Sequence, residues 1–225
     1  AYQTVFTALS SVQENLDQSK YIYLKTILLV TVYTFPFYIG IFWLAEPLIV
    51  TLYGEKWRLA AVPLQILSIN QMLGCFGNVS GAVLAAQNLL GTEMKIQTTT
   101  FILSALGCWY GIQLNNLAMI AWGLVPGAVF LFCGVAYVAC RRLKIKFLEF
   151  LRAIAPASFL SAILATALAF SEYSLTYYAI ELTPIWYMVS LTAIGGMTYG
   201  LLFLFSPIAS LKTESVRWKK KLHIL

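Results

Sequence analysis

The sequence predicts an all-α integral membrane protein with six transmembrane helices. Of its 225 residues, 60% are hydrophobic and 11% charged, and the mean hydropathy is +0.78, whereas soluble domains are about half apolar and about a quarter charged. Charged residues occur in clusters separated by uncharged runs of about 20 residues, the length that crosses a ~30 Å hydrocarbon layer as a helix. The net charge of +6 does not indicate nucleic acid, because the basic residues lie at the ends of the apolar runs.

The apolar runs, bounded by charged or turn-forming residues, define the spans. Each is predicted to be a helix, because backbone polar groups in lipid must be hydrogen-bonded within their own segment. The predicted spans are about 22–45, 60–86, 96–114, 117–140, 153–171 and 184–206.

Short turns and flanking segments complete the predicted organisation. Asn88–Gly91 and Asn115–Asn116 are predicted turns, and Thr183 is a predicted helix N-cap with Pro184 at the first helical position. The predicted domains are a cytoplasmic segment at 1–20, a transmembrane unit at 21–207 and a basic cytoplasmic tail at 208–225.

The distribution of Lys and Arg predicts the orientation of the spans. If the N-terminal side is cytoplasmic, thirteen of the 15 basic residues fall on the cytoplasmic side, and only Lys56 and Arg58 fall outside. Because cytoplasmic loops of membrane proteins carry an excess of Lys and Arg, both ends of this segment are predicted to be cytoplasmic. The segment 54–58, GEKWR, then belongs to the first outer turn.

The basic connector at 141–152, RRLKIKFLEFLR, is predicted to be an amphipathic helix on the inner leaflet. Leu143, Phe147, Phe150 and Leu151 recur at helical spacing with cations between them. The basic C-terminal tail is interpreted in the same way, so anionic membrane lipids are predicted partners of both segments.

A polar stripe in the second span supplies the candidate substrate-cavity residues. Ser68, Gln71, Cys75 and Asn78 fall within about 80° on a helical wheel. Such a stripe inside lipid faces either a partner helix or an aqueous cavity, and the sequence leaves both alternatives open. Lys25, about a turn inside the inner boundary, either snorkels to the interface or lines a cavity that meets an anionic pyrophosphate.

Prolines and glycines predict the shape and packing of the helices. Pro36 and Pro126 each remove a backbone hydrogen bond within a span, which makes them candidate hinges or ordinary packing kinks. Small residues one turn apart let helices approach closely in lipid and favour a compact bundle. Four G-x-x-x-G motifs provide them: Gly77/Gly81, Gly107/Gly111, Gly123/Gly127 and Gly196/Gly200.

The sequence predicts that the protein is not an enzyme and carries no cofactor or metal. It shows no Ser/His/Asp set, no paired carboxylates in the spans and no glycine-rich phosphate loop. Cys75, Cys108, Cys133, Cys140 and the single histidine, His223, lack the spacing of a zinc site or a disulfide framework.

Several stretches of the first hundred residues form a recognisable pattern: Thr7–Ser10, Pro36, the Gly54–Ala60 turn with Trp57 and Arg58, Pro63–Leu67 and Leu84–Asn88. This pattern resembles the second half of polysaccharide (O-antigen type) flippases of the multidrug/oligosaccharidyl-lipid/polysaccharide exporter superfamily. Thr7 stands where the family usually has proline.

The resemblance implies a six-helix lobe of a two-lobe transporter similar to multidrug extrusion transporters, working by alternating access. It implies a lipid-linked oligosaccharide on undecaprenyl pyrophosphate as cargo, as in O-antigen and lipopolysaccharide synthesis, and a bacterial inner-membrane location. The chain would be the C-terminal half, so an N-terminal lobe of the same protein is an expected partner. In the family-motif turn, Gly54 would allow the turn, Trp57 would anchor it at the interface, and Lys56 and Arg58 would pair with Glu55 or lipid phosphate.

Two other functions remain open from the sequence. A multidrug or other small-molecule antiporter of the same fold would be expected to use carboxylates within the membrane, and the predicted spans contain none. A membrane protein of a polysaccharide pathway that does not transport is the other alternative. A polymerase or ligase of sugar chains is disfavoured, because the longest outer loop, 171–183, contains neither Arg nor His.

Overall fold

Eight α-helices make up the part of the chain that the computed structural model describes, residues 2–12, 15–177, 183–206 and 209–221. The helices are α1 (Tyr2–Ser11), α2 (Leu16–Tyr53), α3 (Ala61–Ala86), α4 (Leu90–Gln113), α5 (Leu117–Arg142), α6 (Phe147–Tyr177), α7 (Pro184–Phe205) and α8 (Ala209–Lys221). A short 3-10 helix, Glu55–Ala60, joins α2 to α3. The all-α class predicted from the sequence is confirmed.

Five helical segments of the described chain are long and apolar enough to cross a membrane. They are Leu16–Tyr53, Glu55–Ala86, Leu117–Arg142, Phe147–Leu175 and Pro184–Phe205. The third predicted span, 96–114, is also helical, as part of α4. The helix α4 is not one of the five candidate spans, because polar side chains such as Gln97 and Thr98 lower its mean hydropathy.

The helix α2 is longer than the span 22–45 that lies within it. Its 38 residues correspond to about 57 Å at ~1.5 Å per residue, well beyond the ~30 Å hydrocarbon layer. Pro36 and Pro47 both lie inside it. Asn15 begins the helix as its N-cap, with its side-chain oxygen accepting from the backbone N–H of Gln18 at 3.1 Å.

The predicted turns are confirmed at the residues that form them. Asn88 and Asn115 take positive φ values of 56° and 49°, a conformation that asparagine tolerates better than most residues. Asn116 then caps α5, its side chain accepting from the backbone N–H of Ala118 at 2.9 Å. Thr183 is the N-cap residue of α7, which begins with proline as predicted.

The prediction that 141–152 forms a separate amphipathic helix on the inner leaflet was wrong. The chain turns at Lys144, which has a φ of 53°, and α6 begins at Phe147 and continues directly into the next span. Leu143 and Phe150 are buried in the main core. Leu143 and Phe150 thus pack within the bundle, whereas Phe147 and Leu151 of the same apolar period are exposed.

The N-terminal helix α1 packs onto the bundle. Leu9 is only 2% exposed and lies in the same core as Tyr23 of α2 and Val79 of α3. The sequence predicted residues 1–20 simply as a cytoplasmic segment and gave no sign of this packing.

Some predicted segments reach beyond the described residues. The predicted outer loop 171–183 is helical through its first part, because α6 extends to Tyr177, and residues 178–182 lie outside the description. Most of the predicted tail 208–225 forms α8, whereas 222–225, with His223, lie outside it.

Two of the four G-x-x-x-G motifs bring α4 and α5 together. A Cβ added at Gly107 or Gly123 would collide with the backbone of the other, and one at Gly111 would lie 2.6 Å from the Cα of Ile120. The predicted close packing is therefore confirmed for Gly107/Gly111 and Gly123/Gly127. By contrast, nothing described lies within 4 Å of a Cβ added at Gly77, Gly196 or Gly200, so these glycines border open space.

Candidate functional site

The polar face of α3 is centred on Gln71 and Asn78, two turns apart and both exposed. Together with Gly74 between them, they line two separate cavities on either side of the helix. The sequence left open whether this stripe packs against another helix or lines a cavity. The structure places Gln71 and Asn78 at cavity walls.

The first cavity has a volume of about 240 Å³ and lies between α3, α2 and the N-terminal helix α1. Its walls add the hydroxyl groups of Thr34 and Tyr38 from α2 to the two amides of α3. Val5 closes it from α1. It is thus a small cavity of mixed lining, with polar groups from α2 and α3 among apolar side chains.

The second cavity, of about 170 Å³, lies on the other side of α3, between α3, α4 and α5. Its polar lining adds Asn70 of α3 and Glu93 and Gln97 of α4 to Gln71 and Asn78. Opposite them, α5 contributes apolar side chains and the ring of Phe132, so the cavity has one polar wall and one apolar wall. The lining residues of the cavity are Asn70, Gln71, Gly74, Gly77, Asn78, Gly81, Glu93, Gln97, Ala128, Leu131, Phe132 and Val135.

Gly74 makes room for the amide of Gln71. A Cβ added at Gly74 would lie 2.9 Å from Oε1 of Gln71, closer than real Cβ atoms approach. The absence of a side chain at residue 74 leaves the space that the Gln71 amide occupies, and a larger residue there would make the amide shift.

The other two members of the predicted stripe bond to their own helix. Ser68 is 3% exposed, and its hydroxyl donates to the carbonyl oxygen of Gln65 at 2.7 Å. The thiol of Cys75 borders the first cavity but donates to the carbonyl oxygen of Met72 at 3.0 Å. Ser68 lines neither cavity, so the structure separates it from Gln71 and Asn78.

Sequence reasoning missed Glu93 as part of this site and placed Gln97 at a membrane boundary. The two residues lie one turn apart on α4, where the amide nitrogen of Gln97 donates to a carboxylate oxygen of Glu93 at 3.2 Å. Partial burial raises the pKa of the Glu93 carboxyl above its usual range, against the opposing effect of this hydrogen bond. The side-chain oxygen of Asn70 is buried in the same region with no hydrogen-bond partner among the described residues. The i, i+4 spacing of Glu93 and Gln97 was visible in the sequence, but the position of α4 beside α3 was not.

Lys25 lies away from both cavities. Its ammonium group is 3.4 Å from the hydroxyl of Tyr21, one turn earlier on α2, and 5.6 Å from the centre of that ring. It is not among the residues that line either polar cavity. Both alternatives for Lys25, snorkelling to the interface and lining a cavity that meets a pyrophosphate, stay predictions.

The family-motif turn forms a separate cluster at the far end of α2. Gly54 has a φ of 87°, a left-handed conformation that explains glycine at this turn. The guanidinium of Arg58 pairs with the carboxylates of Glu55 at 2.8 Å and Glu46 at 3.6 Å. Trp57 is 53% exposed, as expected of a side chain that meets the headgroup region. The predicted pairing of Arg58 with Glu55 is confirmed.

The two predicted hinge prolines lie inside unbroken helices, Pro36 within α2 and Pro126 within α5. Pro126 is followed by Gly127, where an added Cβ would collide with the hydroxyl of Ser104 on α4. The close packing of α5 on α4 is therefore at Gly127, next to the proline, while Pro126 itself is exposed. Pro36 instead lines two apolar cavities between α2 and α7.

The polar cavities carry the chemistry of hydroxyl recognition. The side-chain amides of Asn and Gln both donate and accept hydrogen bonds, and a carboxylate adds a strong acceptor. Such a set suits a neutral ligand with many hydroxyl groups.

Comparison with known proteins places the N-terminal part of the chain in a functional context. Residues 2–63 match the family described as "Polysaccharide biosynthesis protein". The "Teichuronic acid biosynthesis protein TuaB" of Bacillus subtilis (strain 168) is 32% identical over 90 residues, which is 40% of this chain but only 18% of that protein. No solved structure matches the chain significantly.

The resemblance of the sequence to proteins of polysaccharide biosynthesis is confirmed, since both matches are to such proteins. The family match covers α1, α2 and the Trp57 turn and ends before Gln71. The polar face of α3 therefore rests on the sequence pattern and the structure, and not on the family match.

Proposed function

We propose that this protein, a polysaccharide biosynthesis protein by its match over residues 2–63, moves a lipid-linked oligosaccharide across a bacterial inner membrane. The observation that carries the proposal is the polar face of α3, where Gln71 and Asn78 line two cavities within a helix apolar enough to span the membrane. Polar side chains in such a helix face a partner or a water-filled path.

The cavities on the described chain are too small to hold an oligosaccharide by themselves. The proposed transporter therefore has a second lobe, an N-terminal one, whose surface completes the path for the glycan. The two lobes would rock against each other in alternating access. In this arrangement the exposed amides of Gln71 and Asn78 would contact the glycan as it passes between the lobes.

The proposed lobe has six spans, with α4 as the sixth. Glycines of α4 and α5 mark where the two helices touch. Gly107 of α4 lies opposite Gly123 of α5. Further along α5, a Cβ added at Gly134 would lie 3.2 Å from the side chain of Ile96 on α4. The two helices thus run side by side over most of their length, and α5 is a candidate span. Six spans put both ends of the segment on the cytoplasmic side, in accord with the distribution of Lys and Arg.

The proposal is tested by restoring the full-length gene to a strain that lacks its own lipid-linked glycan transporter and measuring the cognate surface polysaccharide. We expect the intact protein to restore export and the double substitution Gln71→Leu with Asn78→Leu to reduce it at least tenfold. Leucine removes the hydrogen-bonding groups while keeping the helix apolar and of similar bulk.

Ser68→Ala is the matched control, because Ser68 belongs to the same stripe but lines neither cavity. Export by this variant should stay at the level of the intact protein, with equal amounts of protein in the membrane. Full export by the double leucine variant would assign the stripe to packing. No export by well-expressed intact protein would reject the transport proposal itself.

A further inference from the structure

Pro36 interrupts the backbone hydrogen bonds of α2, and a tyrosine of α7 bonds to the carbonyl group that is left without a partner. In an α-helix the backbone N–H of residue i bonds to the carbonyl oxygen of residue i−4. Pro36 has no N–H, so it leaves the carbonyl oxygen of Val32 without its partner in the helix. The hydroxyl of Tyr199, on α7, donates to this same oxygen at 2.6 Å.

Free volume surrounds this hydrogen bond on both sides. A cavity of about 420 Å³ and another of about 280 Å³ are both lined by Pro36, Tyr199 and Gly200. Gly40 and Gly196 face the larger one, and nothing described lies within 4 Å of a Cβ added at either. Movement between α2 and α7 here would therefore meet little steric resistance from the described chain.

Polar contacts from other helices hold α2 on both sides of Pro36. Before it, α7 reaches Val32 through Tyr199, and α8 reaches Tyr33 through the indole N–H of Trp218, which donates to the Tyr33 hydroxyl at 2.9 Å. After it, α3 reaches Phe42 through the amide of Gln65, which donates to the Phe42 carbonyl oxygen at 3.2 Å. The half before Pro36 is also held by α3, through Tyr23 and Ser80, and the half after it also packs on α7, through Ile39 and Leu191.

We propose that Tyr199 is a positioning residue that sets the bend of α2 at Pro36. Its hydroxyl occupies the Val32 carbonyl, and release of this hydrogen bond lets the half of α2 after Pro36 change its direction relative to α7. The proposal rests on the proposed transport function for its purpose, since alternating access requires such a movement. Its test reads the geometry of α2 and does not depend on export.

The test is a distance measurement along α2 in four variants: the intact sequence, Tyr199→Phe, Pro36→Ala and the double substitution. Spin labels replace the exposed residues Tyr21 and Leu52, near the two ends of the helix, in a background whose four cysteines are exchanged for alanine. The full chain is measured in lipid nanodiscs by double electron–electron resonance.

Tyr199→Phe removes only the hydroxyl group, so the Val32 carbonyl loses its hydrogen bond. We expect a broader distance distribution, in which the ratio of the more bent to the less bent form of α2 changes about fivefold, because losing this hydrogen bond costs about 1 kcal/mol. Pro36→Ala restores the N–H that the Val32 carbonyl lacks, so this variant should give a narrower, longer distribution. In the Pro36→Ala background, Tyr199→Phe should then have no effect.

A structural role that does not involve the bend would give the same change for Tyr199→Phe in both backgrounds, and this result would overturn the proposal. An unchanged distribution in Pro36→Ala would overturn it as well, even if Tyr199→Phe failed to fold. Tyr137→Phe, which removes an exposed hydroxyl on α5, is the control for the loss of a tyrosine hydroxyl.

Discussion

Tyr23 and Ser80 show how a polar pair is kept inside an apolar bundle. Both side chains are fully buried, and their hydroxyl groups lie 2.9 Å apart between α2 and α3. Burial without a partner would cost each hydroxyl its hydrogen bonds to water. The pair therefore fixes how α2 and α3 face each other, which in turn sets the direction of the polar face of α3.

Removing one member of this pair should destabilise the fold more than removing both. We expect Tyr23→Phe to lower the free energy of unfolding by about 1–3 kcal/mol, because the hydroxyl of Ser80 is left buried without that partner. Adding Ser80→Ala should recover part of this loss, since no unpaired hydroxyl then remains. Thermal unfolding in detergent measures both, with Tyr137→Phe as the exposed control. Equal unfolding temperatures for Tyr23→Phe and Tyr137→Phe would contradict the expectation.

At the scale of the element, the α4–α5 hairpin is the most closely packed helix pair of the described chain in terms of backbone approach. Its glycines are arranged so that the backbone of Gly107 lies against that of Gly123. Lipid provides little hydrophobic force between helices, so close van der Waals contact must provide the association. The open glycines of α7 have the same sequence motif without such a contact.

This difference predicts opposite outcomes for the same substitution. We expect Gly107→Val to lower the free energy of unfolding by about 3 kcal/mol or to prevent accumulation of folded protein, because its side chain would collide with the α5 backbone. Gly196→Val, in an equivalent motif on α7, should be within about 0.5 kcal/mol of the intact protein, since nothing described surrounds it. Unfolding temperatures and folded yield from size-exclusion chromatography compare the two, and equal losses would show that the motif matters regardless of its contacts.

The same element scale shows what the sequence could and could not predict. Hydropathy and turn chemistry placed most helices well: Asn115, Asn116 and Pro184 lie where the chain changes direction. The connector at 141–152 was misinterpreted, because apolar residues at helical spacing look alike whether they face lipid or other helices. Only the tertiary contacts of Leu143 and Phe150 distinguish the two.

For the candidate site, the sequence identified polar residues on one helix but not their neighbours. Gln71 and Asn78 stood out because polar side chains are rare in an apolar span. Glu93 did not, since it lies before the predicted span and its position beside α3 depends on how α5 packs between them. The hydrogen bond from Tyr199 to the Val32 carbonyl, which Pro36 leaves without its helical partner, could not be predicted either, because the two residues are 167 residues apart in the sequence.

At the scale of the whole molecule, the number of spans decides which side of the membrane each turn occupies. With α4 as a span, four helices separate the start of α2 from the turn at Lys144, so this basic turn lies on the same side as the start of α2, which is the cytoplasmic side in the proposed orientation. Without it, the turn with Arg141, Arg142, Lys144 and Lys146 would lie on the same side as Trp57. That placement would leave a cluster of cations outside, against the usual bias of cytoplasmic loops.

Whether α4 crosses the membrane can be tested with two engineered cysteines, each placed in a protein whose four native cysteines are replaced. A membrane-impermeant maleimide applied to intact cells should label Lys56→Cys in the Trp57 turn but not Arg142→Cys at the end of α5. Permeabilised cells should show both labelled, which controls for accessibility, since both side chains are exposed. Labelling of both sites in intact cells would mean that α4 does not cross, and labelling of Arg142→Cys alone would mean that the lobe is inverted. Inversion would place the polar face of α3 in a different path from the one proposed, because the entrance of that path is set by which end of α3 faces the cytoplasm.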